Sequence, residues 1–415
     1  MKIIVHDYAG HPFQVQLSRE LAARGHNVLH LYCGSTHTPR GELARRDDDP
    51  AKFECRGIDL SEQIPKSNFV RRFKLEAQYA AALIRECESF GAEVIISANT
   101  PSIPQHRLAR WCTRQEVRLV SWVQDIYGLA AYRLLGRKLP GIGHLVGRYF
   151  IALDKSAARQ SDAIVVIAAD FGNVFTRWGI DSARIHTIHN WAPLESMPTR
   201  PRDNAWSRRH DMSDGVRFVY SGTLAMKHNP ALLLELARML DRDSSGELAV
   251  VSEGAGVKWL AEQAAREELG SLRCLGFQPF EELPDVLGSA DVLVAILEAD
   301  AGVFSVPSKV LSYLCAGRPV LLAVPKENLA AKIVVECGAG PVVEPADIRG
   351  FCAEAKHLID SPQLRERHGR AARHYAETHF DIRHIGDQFE TILGRAAAHK
   401  KLSHTEAQRA QKIKQ

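Results

Sequence analysis

Two short stretches of this chain combine glycine, hydroxyl and lysine side chains in a way that suits an anion. In the first, an apolar run from Val216 to Ser221 enters Gly222-Thr223-Leu224-Ala225-Met226-Lys227-His228-Asn229-Pro230, after which a helical pattern begins. A glycine turn feeding a helix start presents free backbone N–H groups and the positive end of a dipole, which is phosphate chemistry, and Lys227 adds a point charge. The second is Val306-Pro307-Ser308-Lys309, running on to Ala316-Gly317-Arg318-Pro319. Ser308 suits an N-cap and Gly317 with Pro319 marks the helix end, so Lys309 falls in the first turn, where the dipole disfavours a cation unless an anion is bound. The plain alternatives are a structural turn with one lysine and a solvated lysine at a helix start. A third candidate is Asp125, at the carboxyl end of the run Arg118 to Val123, placed to touch a substrate hydroxyl or merely to cap the next helix.

The elements that would position these groups alternate. Strands are expected at Lys2–His6, Asn27–Tyr32, Glu93–Ser97, Arg118–Val123, Asp162–Ile167 and Arg184–Ile188, and again at Val216–Ser221, Glu247–Ser252, Leu272–Leu275, Asp291–Ile296 and Val320–Val324. Helical stretches separate them, such as Pro12–Arg24 with Pro12 near its start and Gly25 as its stop. This grammar predicts an α/β protein with two Rossmann-like, doubly wound parallel-sheet domains facing a cleft, since such sheets bind ligands at the carboxyl ends of their strands. The expected organisation is a first domain over 1–195, a proline-rich linker over 196–215, a second domain over 216–380, a helix over 381–395 returning to the first domain, and a basic tail over 396–415.

The 415 residues, 45% hydrophobic and 25% charged, describe an ordinary globular protein and exclude collagen-like, disordered and disulfide-scaffold classes. No apolar run approaches the roughly 20 residues of a membrane span, and the start Met1-Lys2-Ile3-Ile4-Val5-His6-Asp7 reads as a strand rather than a signal peptide. A cytoplasmic protein is expected. Eight scattered cysteines lack metal or disulfide spacing and read as buried thiols. The net charge is +4, yet residues 394–415 alone carry +5, which leaves −1 for the remainder and no general footprint for nucleic acid. No metal is expected either: Asp47-Asp48-Asp49 sits beside Pro50 in a loop rather than at a strand end.

Several motifs together carry a resemblance. Tyr220-Ser221-Gly222, Val251-Ser252-Glu253-Gly254-Ala255-Gly256, Gly276-Phe277-Gln278-Pro279 and the segment from Val306 to Pro319 resemble the donor half of the two-domain (GT-B) retaining glycosyltransferases of family 4. Leu21 to Val28, Trp122 to Tyr127 and Ile188 to Trp191 are similar to the first half of members that build bacterial exopolysaccharide, including the colanic acid type. The resemblance implies a hexosyl transfer from a nucleotide-diphosphate sugar. It implies that Gly222, Lys227, Ser308 and Lys309 approach the diphosphate, that Pro307 belongs to the donor-binding set, that Glu253 and Gly254 lie near the nucleoside, and that backbone around Phe277 and Pro279 holds the base. Gly10 would permit close backbone approach, His11 would bond the sugar or phosphate, and Asp125 would meet the acceptor. Front-face substitution, in which the leaving diphosphate takes the acceptor's proton, would then need from the protein mainly the positive charge of Lys227 and Lys309.

One departure stands out. Where the family has a glutamate for the ribose hydroxyls this chain has Ser312, and where it has a companion glutamate this chain has Phe304, with Glu298 and Asp300 nearby. A neutral serine bonds a ribose more weakly than a carboxylate does. Two stretches, Lys66–Leu75 and Tyr132–Phe150, mix basic and large apolar residues, which suits an anionic inner leaflet carrying a polyprenyl-linked acceptor, or else helices packed on their own domain. The rival readings are a nucleotide-sugar epimerase, for which Phe304 and Ser312 are unsuited, and a sugar-nucleotide-binding or scaffold protein with impaired catalysis. A dehydrogenase is disfavoured by the lack of Gly-x-Gly-x-x-Gly after either first strand. The donor's base and sugar are not encoded, because contacts to a base are mostly backbone.

Overall fold

The computed structural model describes residues 1–36, 43–65, 68–297 and 308–395, with the side chains of Phe69 and Lys227 outside the described set. Phe304, Pro307, Glu298, Asp300 and the tail 396–415 therefore lie outside the described residues. Two compact units divide the chain: Met1–Asn190 with the residues from Ile382 onward, and Trp191–Asp381.

The first unit is built on seven parallel strands, β1 (Lys2–Asp7), β2 (Asn27–Cys33), β3 (Phe53–Ile58), β4 (Val94–Ala98), β5 (Arg118–Val123), β6 (Ala163–Val166) and β7 (Ile185–Thr187), in the spatial order 3-2-1-4-5-6-7. Its helices are α1 (Pro12–Ala23), α2 (Phe69–Phe90), α3 (Ser102–Arg114), α4 (Tyr127–Lys138), α5 (Ile142–Gln160) and α6 (Ala169–Arg177). Central strands such as β4 are buried at every position, as parallel strands covered on both faces must be. Residues 382–395 are helical and present Ile385, Phe389, Ile392 and Leu393 as a buried stripe. Phe389 meets Trp122 of β5 edge to face, with ring centroids 4.9 Å apart.

The second unit repeats the plan. After a short helix α7 (Ala205–Arg209) come β8 (Val216–Ser221), α8 (Ala231–Asp243), β9 (Gly246–Val251), α9 (Ala255–Arg266), β10 (Leu272–Leu275), α10 (Leu283–Gly288), β11 (Val292–Ile296), α11 (Ser308–Ala316), β12 (Val320–Ala323), α12 (Leu329–Cys337), β13 (Val342–Val343), α13 (Ile348–Asp360) and α14 (Pro362–His379). The strand order, 10-9-8-11-12-13, matches that of the first sheet. In each sheet the order reverses beside the first strand, between β1 and β4 and between β8 and β11, the switch point where such sheets open a crevice.

Two strands escaped the sequence reading, β3 and β13. Both are edge strands, one alternating apolar and charged residues and one only two residues long. The stretch 196–215, expected as a linker, is packed on the second unit. Asn204 caps α7 in a reciprocal box with Ser207, and Trp206 is 1% exposed and donates from Nε1 to Gln278 Oε1 at 3.1 Å. The buried Arg217 of β8 fastens the segment by donating to the carbonyls of Arg202, Met212 and Ser213. Trp206→Ala should therefore lower the unfolding free energy of the second unit by about 3–5 kcal/mol in denaturant titration, the cost of emptying a large buried site. A linker tryptophan would leave the midpoint unchanged.

Candidate active site

At the carboxyl end of the second sheet, Ser221 of β8, Val251 of β9 and Leu275 of β10 lie side by side in register. The loops they feed interlock. Gly222 N donates to Val251 O at 3.0 Å, Leu224 N to Glu253 O at 3.3 Å and Gly256 N to Leu224 O at 3.0 Å. A Cβ at Gly254 or Gly256 would stand 2.8 or 2.6 Å from Leu224 O, so only glycine lets the two loops touch.

Lys309, in the first turn of α11, lies over this junction. Its Nζ is 3.8 Å from the centroid of the Tyr220 ring and donates to Tyr220 Oη at 2.6 Å, while that hydroxyl donates to Thr223 O at 2.9 Å. One turn further, Tyr313 Oη accepts from Ser221 N at 2.9 Å and lies 3.0 Å from Ser221 O, tying α11 to the end of β8. Gly222 has φ 125°, and a Cβ there would fall 3.1 Å from Lys309 Cε. A side chain at 222 would thus be strained and would also displace the lysine. Burial pushes the Lys309 ammonium down to a pKa of about 7, and no carboxylate among the described residues forms an ion pair with it. A desolvated cation that no described carboxylate neutralises suits an anionic ligand.

The other expected donor-side residues surround this point unequally. Ser308 is exposed and Ser312 half-buried, and with Lys309 they share one face of α11, opposite the buried Val310 and Leu314. Glu253 and Gly254 are exposed at the start of α9, Phe277 is 48% exposed after β10, and Pro279 precedes a single 3-10 turn. The Lys227 side chain and Pro307 lie outside the described residues. Tyr220 and Tyr313 were not among the expected site residues; Tyr220 at the end of β8 stood in the quoted Tyr220-Ser221-Gly222 motif, whereas nothing local announces that the Tyr313 hydroxyl of α11 reaches β8.

The first unit builds its own site around a buried carboxylate. Asp7, fully buried at the end of β1, accepts from Ala9 N at 3.0 Å and from His11 N, which folds the loop through Gly10 at φ 79°. The Gln14 amide, oriented with its nitrogen toward Asp7, donates to both carboxylate oxygens at 2.5 and 2.6 Å and accepts from Gln124 Nε2 at 2.7 Å. His11 Nδ1 lies 3.5 Å from Asp7 Oδ1. Burial alone would lower the His11 pKa, but Asp7 outweighs it and holds the imidazole above its ordinary value; conversely His11 holds the buried Asp7 below its own.

Asp125 follows Gln124 directly. Water reaches its side chain, yet the surrounding protein desolvates the carboxylate and pushes it up to about 6, with the nearby His11 charge pulling the other way. Beneath it lies a cavity of about 50 Å³ lined by Ser97, Gln105, Ser121, Gln124, Asp125 and Tyr127. The Tyr127 hydroxyl contacts both oxygens of Asn99, at 3.1 and 2.8 Å, and Asn99 itself is held at φ 48°. The structure therefore brings Gly10, His11 and Asp125 together at one sheet end, and Gly222, Lys309, Ser308 and Ser312 at the other. Asp7, Gln14 and Gln124, which brace His11 and the Asp125 loop, had no sequence signal beyond polar residues at a strand end and on a helix. Among the described residues no group of three His, Cys, Asp or Glu side chains is placed to hold a metal ion.

Because the Lys309 pKa is lowered on folding, the unfolded chain binds a proton that the folded chain does not between about pH 7 and the ordinary 10.5. Stability from this residue therefore rises with pH across that window, and its penalty is full below about pH 7. Lys309→Met should accordingly raise the melting temperature, most below about pH 7 and progressively less toward pH 10, while abolishing the stabilisation that inorganic diphosphate gives the parent chain. Equal diphosphate shifts in both proteins would remove Lys309 from the anion site.

Comparison with known proteins finds family matches for both units. Residues 11–191 match the family model described as a glycosyl transferase 4-like domain, and residues 204–375 match that of glycosyl transferases group 1. A glycogen synthase of Mycobacterium tuberculosis is 24% identical over 251 residues, which are 59% of this chain; the chain spans only 57% of the length of that curated relative. Among solved structures, a sucrose-phosphate synthase from Thermosynechococcus elongatus superposes with a TM-score of 0.72 at 15% identity, over 96% of this chain and 99% of that one. HepE from Anabaena in complex with UDP superposes with a TM-score of 0.68 at 15% identity, over 95% of this chain and 100% of that one, and it has also been solved in complex with UDP-glucose. With its two parallel sheets, its two matched domains and these neighbours, the chain belongs to the family 4 glycosyltransferases of GT-B fold.

Proposed function

We propose that this chain moves a hexosyl residue, with retention, from a nucleoside-diphosphate sugar to a hydroxyl of a lipid-linked surface glycan at the inner membrane face, in exopolysaccharide, capsule or lipopolysaccharide assembly. The observation that carries the donor half is the Lys309 ammonium, desolvated against Tyr220 above the Gly222 turn. A diphosphate supplies negative charge to this ammonium, and its leaving-group charge grows as the glycosidic C–O bond breaks, when a fixed cation is most useful. The complex of HepE with UDP-glucose supports a donor of this class. In the transfer step the acceptor oxygen bonds C1 on the face the diphosphate leaves, and the acceptor's proton passes to a diphosphate oxygen. Asp125 orients that acceptor hydroxyl and His11 faces the sugar or its phosphate. Lys227, whose backbone lies in the same loop as Gly222, is assigned a share of the charge.

Ser312 favours a second reading, a donor binder with impaired turnover, because a hydroxyl replaces the carboxylate that the family directs at the ribose. Incubation with a panel of nucleotide sugars separates the two by release of nucleoside diphosphate. We expect one donor to be hydrolysed slowly, and Lys309→Ala to reduce that rate at least about tenfold with the melting temperature kept. Binding of a donor without any diphosphate release would leave the binder reading standing. Ser312→Glu should tighten donor binding in calorimetry by about 1–2 kcal/mol, as charged hydrogen bonds exceed neutral ones; unchanged affinity would mean that the pocket is built around serine.

A further inference from the structure

In the first unit, α4 and α5 form an antiparallel hairpin joined by Leu139, Pro140 and Gly141. Its seam is made of glycine. A Cβ on Gly143 would stand 2.0 Å from Leu135 O, one on Gly147 2.3 Å from Tyr132 Cα, and one on Gly128 2.7 Å from Ile151 N. The two backbones touch, so the seam has no room for large side chains. The consequence is visible at the far end: Leu134, Leu139, Ile142, Leu145, Val146 and Tyr149 are 40–69% exposed. Isolated exposed leucines need no explanation, but six large apolar residues gathered on one hairpin do. Between them stand Arg133, Arg137, Lys138 and Arg148, all exposed, and no Asp or Glu occurs from Tyr127 to Leu153.

We propose that the far end of this hairpin is a membrane wedge, seated at the headgroup level of an anionic leaflet. A bilayer offers both complements at once, acidic headgroups for the arginines and lysine and acyl chains for the leucines and isoleucine. The contact is shallow, because no helix among the described residues is long and apolar enough to cross. A second copy of the chain fits less well, since a twofold contact would set this cationic surface against itself. The wedge also has a consequence for the reaction. α4 begins at Tyr127, two residues after Asp125, so the arm that enters the leaflet is continuous with the carboxylate assigned to the acceptor. That consequence rests on the lipid-linked acceptor proposed above; attachment to lipid does not.

The test uses the full chain, so that residues 396–415 are present in every arm, with vesicles of phosphatidylcholine alone or mixed with phosphatidylglycerol. The parent should cosediment with the mixed vesicles. Leu139→Ser, Ile142→Ser and Leu145→Ser combined, which leave the charge unchanged, should weaken that partitioning at least about tenfold. Arg133→Gln, Arg137→Gln and Lys138→Gln combined should remove the preference for phosphatidylglycerol. In a separate variant, Ile142→Trp should show added quenching by lipids brominated near the headgroup, a local readout that keeps the site apolar if the serine variant proves unstable. Undiminished binding by the serine variant, or no added quenching, would overturn the wedge, as would a parent dimer that turns monomeric in the serine variant without binding vesicles. Donor hydrolysis in solution should be equal in parent and serine variant. Its absence from both, with vesicle binding retained, would instead count against the proposed reaction.

Discussion

The ammonium of Lys309, pressed on Tyr220 with no carboxylate among the described residues to neutralise it, is the constraint around which the second unit's site is arranged. Burying a cation is costly, and chains under no functional demand avoid it or pair it. Here the surroundings are organised to hold that cost in place. Gly222 leaves the space in which the Lys309 side chain crosses β8, Tyr313 pins α11 to the end of β8, and Gly254 and Gly256 let the neighbouring loop close beneath. The cluster breaks the usual consistency between local preference and fold at one point, as functional sites do.

The first unit treats charge the opposite way. Asp7 is completely removed from water, further than the half-buried Lys309, and is fully provided for, with the backbone N–H groups of Ala9 and His11 and the Gln14 amide directed at it. A carboxylate so satisfied is rigid and inert, and it serves as a peg that shapes the Gly10 loop and orients His11. Its neighbours are perturbed instead: Asp125 is reached by water and pushed up to about 6, and His11 is held above its ordinary value. Asp7 is satisfied and structural, whereas Lys309 is neutralised by no carboxylate among the described residues and stays available to a ligand.

How far this was legible in the sequence follows from what each feature depends on. Central strands such as β4 and β11 announce themselves as short runs of apolar residues, because both faces are covered. Edge strands β3 and β13 carry no such run, and their existence is decided by partners β2 and β12 rather than by their own residues. The stretch around Trp206 has no periodicity to read; it is held by Arg217, which lies in a strand that begins after it. In the site, Gly222 and Lys309 were legible because a strand-to-helix turn is written locally. Tyr220 and Asp7 were not, since their parts depend on which way a strand-end side chain points and on what a distant helix brings to it.

The serine at 312 fits this electrostatic arrangement. On α11, residue 312 stands three positions after Lys309, the spacing at which oppositely charged side chains reach each other. A glutamate there would have two partners open to it, the ribose hydroxyls of a donor and the ammonium of Lys309. Insofar as it paired with the lysine, it would raise the lysine's pKa, satisfy its charge in the empty protein and weaken its pull on a diphosphate. Serine would give up the stronger ribose contact and leaves the ammonium with no carboxylate partner among the described residues. With Tyr220 already donating its hydroxyl proton to Thr223 O, the lysine's remaining demand is for an anion. On the proposed donor reading, serine at 312 would shift recognition from the sugar of the nucleoside toward its diphosphate, the part common to nucleoside-diphosphate donors.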